Sequence, residues 1–93
     1  MVTISELIHD LETVPGMLYL HYDYGFITGV RVARDNSSIE LHSCHEHEPL
    51  DVATIKTALA GVPEQLMDTP VYGVLDGERE QVKSFNAATA TLF

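Results

Sequence analysis

Ninety-three residues suffice for one domain with a single hydrophobic core, close to the lower size at which a core stands without metals or disulfides. Apolar residues at 45% and charged residues at 20% describe a folded chain rather than a disordered one. Fourteen acidic against five basic residues leave a formal net charge of −9, which argues against nucleic acid as a direct ligand because phosphate recognition needs clustered Lys and Arg.

The chain opens on Met1-Val2-Thr3-Ile4-Ser5-Glu6, with no basic region leading into a long apolar run, so neither a signal peptide nor a membrane span is expected. Thr3 or Ser5 can cap a first helix, and Glu6 stands three residues after Thr3 as a capping box prefers. Ile4, Leu7, Ile8 and Leu11 form one apolar stripe that should face the core. Pro15-Gly16 stops the helix, since proline disfavours a helical Val14 and glycine permits reversal.

Alternation over Met17–Tyr24 then predicts a strand with Leu18, Leu20, Tyr22 and Tyr24 on one face and Met17, Tyr19, His21 and Asp23 on the other. Gly25 turns the chain into a second strand, Phe26–Arg34, where Phe26, Val30 and Val32 share a face. Asp35-Asn36-Ser37 is a turn signal ahead of a third strand, Ser38–Ser43. The order then repeats: a helix near Asp51–Ala60, a strand near Val71–Leu75, a turn at Asp76-Gly77, and strands near Gln81–Phe85 and Thr89–Phe93.

The two halves also match residue by residue. Ile4, Leu7, Leu11, Val14 and Pro15 are answered by Val52, Ile55, Leu59, Val62 and Pro63; further on, Gly25, Val30 and Arg31 face Gly77, Val82 and Lys83, and Ile39 and Leu41 face Thr91 and Phe93. The expected fold is therefore α+β, a tandem duplicated helix plus three-stranded antiparallel meander (αβββ-αβββ) with pseudo-twofold symmetry, in one domain of residues 1–93 with units of about 1–48 and 49–93. One helix on one meander buries too little surface to stand alone, so the units should share one core or one sheet. Such pairing leaves either a groove between halves or exposed edges that drive a homodimer.

The densest polar segment is His42-Ser43-Cys44-His45-Glu46-His47-Glu48. His42, Cys44, His45 and His47 offer nitrogen and sulfur donors suited to zinc, with Glu46 and Glu48 favouring a cation. No Cys-x-x-Cys or second ligand pair accompanies them, and a solvated connector leading to Pro49 and a capping Asp51 is the simpler reading. Catalytic signatures are missing: there is no Gly-rich phosphate loop and no nucleophile elbow, and Cys44 beside His42 or His45 lacks an evident orienting group. Glu78 and Glu80 lie beside the Asp76-Gly77 turn and read as a solvated hairpin rather than an acid-base pair. Tyr19, with Met17 and His21, is the candidate for an exposed contact face, joined by Glu46 and Glu48 as acidic partner-binding residues. The single cysteine, Cys44, excludes an internal disulfide and fits a reducing, cytoplasmic setting.

Thr3-Ile4-Ser5-Glu6-Leu7-Ile8, with Leu11 and Val14-Pro15 following, resembles the start of many small accessory proteins of tailed phages and prophages, and Thr54-Ile55 through Val62-Pro63 to Val71-Tyr72 and Asp76-Gly77 looks like a diverged copy. The second copy departs in having Lys56-Thr57-Ala58 where the first has Ile8-His9-Asp10. The resemblance implies a mobile-element setting, in which small acidic proteins bind and block a host component or sequester a small molecule; it carries no shared catalytic residues. The expectation is a non-enzymatic binding protein, an inhibitor acting on a partner with a basic surface, without a cofactor. The alternatives are a zinc-like metal-binding protein and a small-molecule-sequestering oligomer.

Overall fold

The computed structural model describes residues 2–22, 25–34, 36–44 and 48–93. The architecture is α+β, with helices α1 (Ile4–Leu11) and α2 (Val52–Ala60) and strands β1 (His21–Tyr22), β2 (Gly25–Val32), β3 (Ile39–Ser43), β4 (Val71–Leu75), β5 (Glu78–Gln81), β6 (Phe85–Asn86) and β7 (Thr91–Leu92). No helix among the described residues is long and apolar enough to cross a membrane.

Both helices begin where a side chain can satisfy an orphan amide. Thr3 accepts from the Glu6 amide at 3.2 Å and donates to the Glu6 carboxylate at 3.1 Å, so the Thr3-x-x-Glu6 spacing is read correctly. Asp51 accepts from the Thr54 amide at 2.8 Å. Ile4, Leu7 and Leu11 of α1 and Val52, Ile55 and Leu59 of α2 are fully buried, each side chain contributing about 1.5–3 kcal/mol of apolar burial. The helices pack on each other and, with Leu20, Ile27, Ile39, Leu41, Val71 and Leu92 of the sheet side, enclose one core.

All seven strands belong to one sheet in the order β5-β4-β3-β2-β1-β7-β6. β1, β2 and β3 form the expected antiparallel meander, and β4 pairs antiparallel with β5 as β6 does with β7. Two parallel pairings join the halves, β3 with β4 and β1 with β7. The strands at the two ends of the order, β5 and β6, are successive parts of one segment. Between them the Val82 amide bonds to Val71 and the Lys83 amide to Phe93, so the sheet curls until its ends meet. Asp76 and Gly77, at φ 52° and 82°, make the two-residue turn that closes the β4–β5 hairpin, a conformation that glycine and aspartate tolerate.

Three expected strands are cut short, each for a hydrogen-bonding reason. Met17 and Leu18 are in a turn: the Leu18 amide returns to Pro15 O, while the carbonyls of Gly16 and Leu18 accept from Ala53 and Val52 at the start of α2. Those carbonyls cap a helix, so the strand starts at His21 and Leu18 is exposed rather than sharing the buried face of Leu20 and Tyr22. The expected strand Gln81–Phe85 divides because 82–84 leaves β4 for β7. Near the end, Ala90 at φ 51° confines the last strand to Thr91–Leu92.

β2 departs from simple alternation. Its register against β3 shifts between Ile27 and Gly29, and that bulge reverses which residues face inward. Phe26, expected to share the face of Val30 and Val32, points outward and Ile27 is buried in its place.

Candidate functional site

Two outer regions of the curled sheet carry side chains with no role in the core. The first follows from alternation in β3. Ile39, Leu41 and Ser43 turn inward, leaving Glu40 and His42 on the outer face, with Cys44 next on that side. Register sets Glu40 between Arg31 of β2 and Tyr72 of β4, and His42 between Gly29 and Val74. Arg79 reaches this face through its pairing with Val74.

Here the Arg79 guanidinium donates from Nε to Glu40 Oε2 at 2.8 Å and from Nη2 to Ser38 Oγ at 2.8 Å, and lies 3.6 Å from the centroid of the Tyr72 ring. The other Glu40 oxygen, Oε1, is 3.0 Å from His42 Nε2, which donates when that nitrogen carries the proton. Glu40, only 18% exposed, is thus held by a guanidinium and an imidazole, the condition under which a half-buried carboxylate is tolerated. A trough of about 600 Å³ runs beside this cluster, lined by Arg31, His42, Cys44 and Glu48 among others. A second hollow of about 570 Å³ adjoins it, bordered by Arg34, Glu40 and Arg79 and sharing His42, Val74 and Gly77 with the first. Gly29, beside His42 in the register, puts no side chain into the first trough, and Gly77 borders both.

The second region is apolar. Tyr19 and Phe26 meet edge to face with ring centroids 5.8 Å apart, and the His21 ring lies 4.5 Å from Phe26. Tyr19 is 49% exposed and Phe26 39%; the turn beside them presents Met17 at 82% and Leu18 at 44%. The start of α2 borders this patch, since Asp51 is bridged to Tyr19. Hydrogen bonds from the Thr54 hydroxyl and then the Thr54 amide hold the Asp51 carboxyl below the usual carboxylate range.

The candidate residues are distributed accordingly. His42 and Cys44 share the trough, as extended geometry requires, whereas His45 and His47 lie outside the described residues. Among the described residues no three His, Cys, Asp or Glu side chains gather as a metal-binding group. Of the partner-binding candidates, Tyr19 and His21 join one aromatic cluster, Glu48 is exposed on the trough, and Glu46 lies outside the described residues. Glu40 supplies the orienting group that a cysteine–histidine pair lacked in the sequence. Cys44 is a half-buried free thiol, and no described hydrogen bond joins it to His42. Sequence reasoning missed Phe26, Glu40, Ser38 and Arg79. A glycine inside a strand, Gly29, was the available sign of the bulge that exposes Phe26; nothing local marks Glu40 and Arg79, 39 residues apart, as partners.

Comparison with protein-family models, with curated proteins and with solved structures finds no match to this chain.

Proposed function

We propose that this chain is a binding protein without catalytic turnover that docks a basic partner protein on the face built by Met17, Leu18, Tyr19 and Phe26. The observation that carries this reading is the solvent-facing Tyr19–Phe26 pair, flanked by two large apolar side chains left outside the core. Aromatic and methionine side chains are enriched at interface centres, where burial of their large surface supplies most of the affinity. Charge complementarity gives the sign of the partner: the chain carries −9, and Asp51, bridged to Tyr19, keeps an ionised carboxylate at the patch border. The resemblance to phage accessory proteins extends the proposal to inhibition, with the partner a host protein whose basic site is covered.

The test is photocrosslinking from position 19, compared with position 64 on the short helical turn Glu64–Leu66. One adduct specific to position 19 is expected, with affinity falling as salt rises and on Tyr19→Ala. Adducts formed only with second copies of this chain would replace the proposal with a homodimer. Affinity indifferent to salt would remove its electrostatic part.

A tandem duplication is the reading we attach to the likeness of the halves. What supports it is reciprocity in the hydrogen bonds. Ile4 and Ser5 amides bond to Thr69 and Met67 after α2, while Val52 and Ala53 amides bond to Leu18 and Gly16 after α1. Thr3 is bridged to Pro70 as Asp51 is to Tyr19, and the Ile27 amide bonds to Leu20 O as the Val82 amide does to Val71 O. On this footing Val82 would correspond to Ile27 in place of Val30, and Leu92, opposite Tyr22, to Leu41, opposite Gly73, in place of Phe93. A circular permutant opened before Pro49, with Phe93 joined to Val2 by a short linker, is expected to fold; a permutant that stays unfolded would count against interchangeable units.

A further inference from the structure

The geometry points to a binding site for a small oxyanion, a carboxylate or phosphate carried by a metabolite-sized molecule, in the hollow between Arg34 and Arg79 on the outer face of β3 and β4. The chain has three arginines, and all three border the two adjoining hollows of about 600 and 570 Å³, Arg31 on the first and Arg34 and Arg79 on the second. Plain solubility of a chain with net charge −9 gives no reason for that gathering.

Local charge sharpens the choice of end. The Arg34 hollow is lined by two arginines and one carboxylate, Glu40, and both oxygens of that carboxylate are already engaged, Oε1 with His42 and Oε2 with Arg79. A positive excess remains there. At the opposite end, Glu48 and Asp76 outnumber Arg31, so an anion is disfavoured and an attached ammonium or hydroxyl group would be accepted.

Arg79 is also prepared in advance. Its Nε and Nη2 bonds and the Tyr72 ring fix the plane of the guanidinium and leave Nη1 to donate. A side chain already held in one rotamer loses little entropy on binding, which is where much of the cost of fixing a ligand normally lies. Arg34 is exposed and makes no ion pair among the described residues, so it is available to close over the same oxyanion. The volume suits an occupant of metabolite size rather than a macromolecular chain. This site is independent of the aromatic patch, and either can fail without the other.

Titration of the intact protein with inorganic phosphate and, separately, succinate, followed by amide and arginine Nε NMR shifts, tests the inference, with sodium chloride at matched ionic strength as control. Saturable shifts confined to His42, Val74, Gly77 and the Arg79 Nε are expected with at least one of the two anions, and which anion acts tells phosphate from carboxylate. Arg34→Ala, an exposed substitution that leaves the fold intact, is expected to weaken binding by about tenfold or more, as is Arg79→Lys. Shifts reproduced by chloride, spread over the whole surface, or unaltered by Arg34→Ala would each overturn the site.

Discussion

Gly73 lies in the middle of β4, and a methyl group there tests how the interior is packed. A Cβ built on Gly73 falls closer than 3.0 Å to three atoms of the Tyr22 ring, well inside the 3.5–4.0 Å at which carbon atoms rest in contact. Tyr22 is itself buried among residues of the core, so the ring has to move by about 1 Å into neighbours that are already close-packed. Overpacking of this kind costs about 1–3 kcal/mol, partly offset by about 0.4–1 kcal/mol from the smaller entropy of the unfolded alanine chain. Gly73→Ala is therefore expected to lose about 1–2 kcal/mol, or about 5–15 °C in Tm for a domain of this size. The decisive assay is a double-mutant cycle by urea and thermal denaturation with Tyr22→Leu. In the Tyr22→Leu background the added methyl should be neutral or slightly stabilising, giving a coupling of about 1–2 kcal/mol. An equal loss in both backgrounds, or none in the wild type, would refute the ring-on-glycine packing.

Thr3→Ala removes the cap of α1 and should lower stability by about 1 kcal/mol in urea denaturation, with Thr3→Ser close to neutral. The Asp51 carboxyl is held below its usual range when folded, so its contribution is fully present above the unfolded value near pH 4 and is lost as pH falls through the lower folded value; the Tm gap between wild type and Asp51→Ala should be wide at neutral pH and narrow under acid. Native mass spectrometry before and after a chelator should show an unchanged mass, because among the described residues no three His, Cys, Asp or Glu side chains gather as a metal-binding group; a zinc adduct lost on chelation and on Cys44→Ser would return the His42–His47 segment to the centre of the function.

The readable parts of this protein are those whose cause lies within a few residues. Thr3-x-x-Glu6 and Asp51 announce the caps, the stripes Ile4, Leu7, Leu11 and Val52, Ile55, Leu59 announce the buried helix faces, and Asp76-Gly77 announces a hairpin. The site is less readable. Tyr19 and His42 stand out by residue type and position, but alternation puts Phe26 on the face of Val30 and Val32, whereas the bulge inserts one step into a pattern with a period of two. Glu40 and Arg79 look like ordinary surface charges until the parallel pairing of β3 with β4, and the hairpin to β5, set them side by side.

By itself, the sequence determined the fold class, the two capped helices, the core stripes and the meander of the first half, because each follows from capping bonds or hydrophobic periodicity over a short span. Only the tertiary structure decided which strands pair across the halves, where Gly16 and Leu18 spend their carbonyls, which face of β2 meets water, and that three arginines of an acidic chain border adjoining hollows. Those outcomes depend on which distant backbone groups become neighbours once the core closes. No local pattern encodes that, because a carbonyl or a guanidinium is equally satisfied by any partner the fold brings within reach.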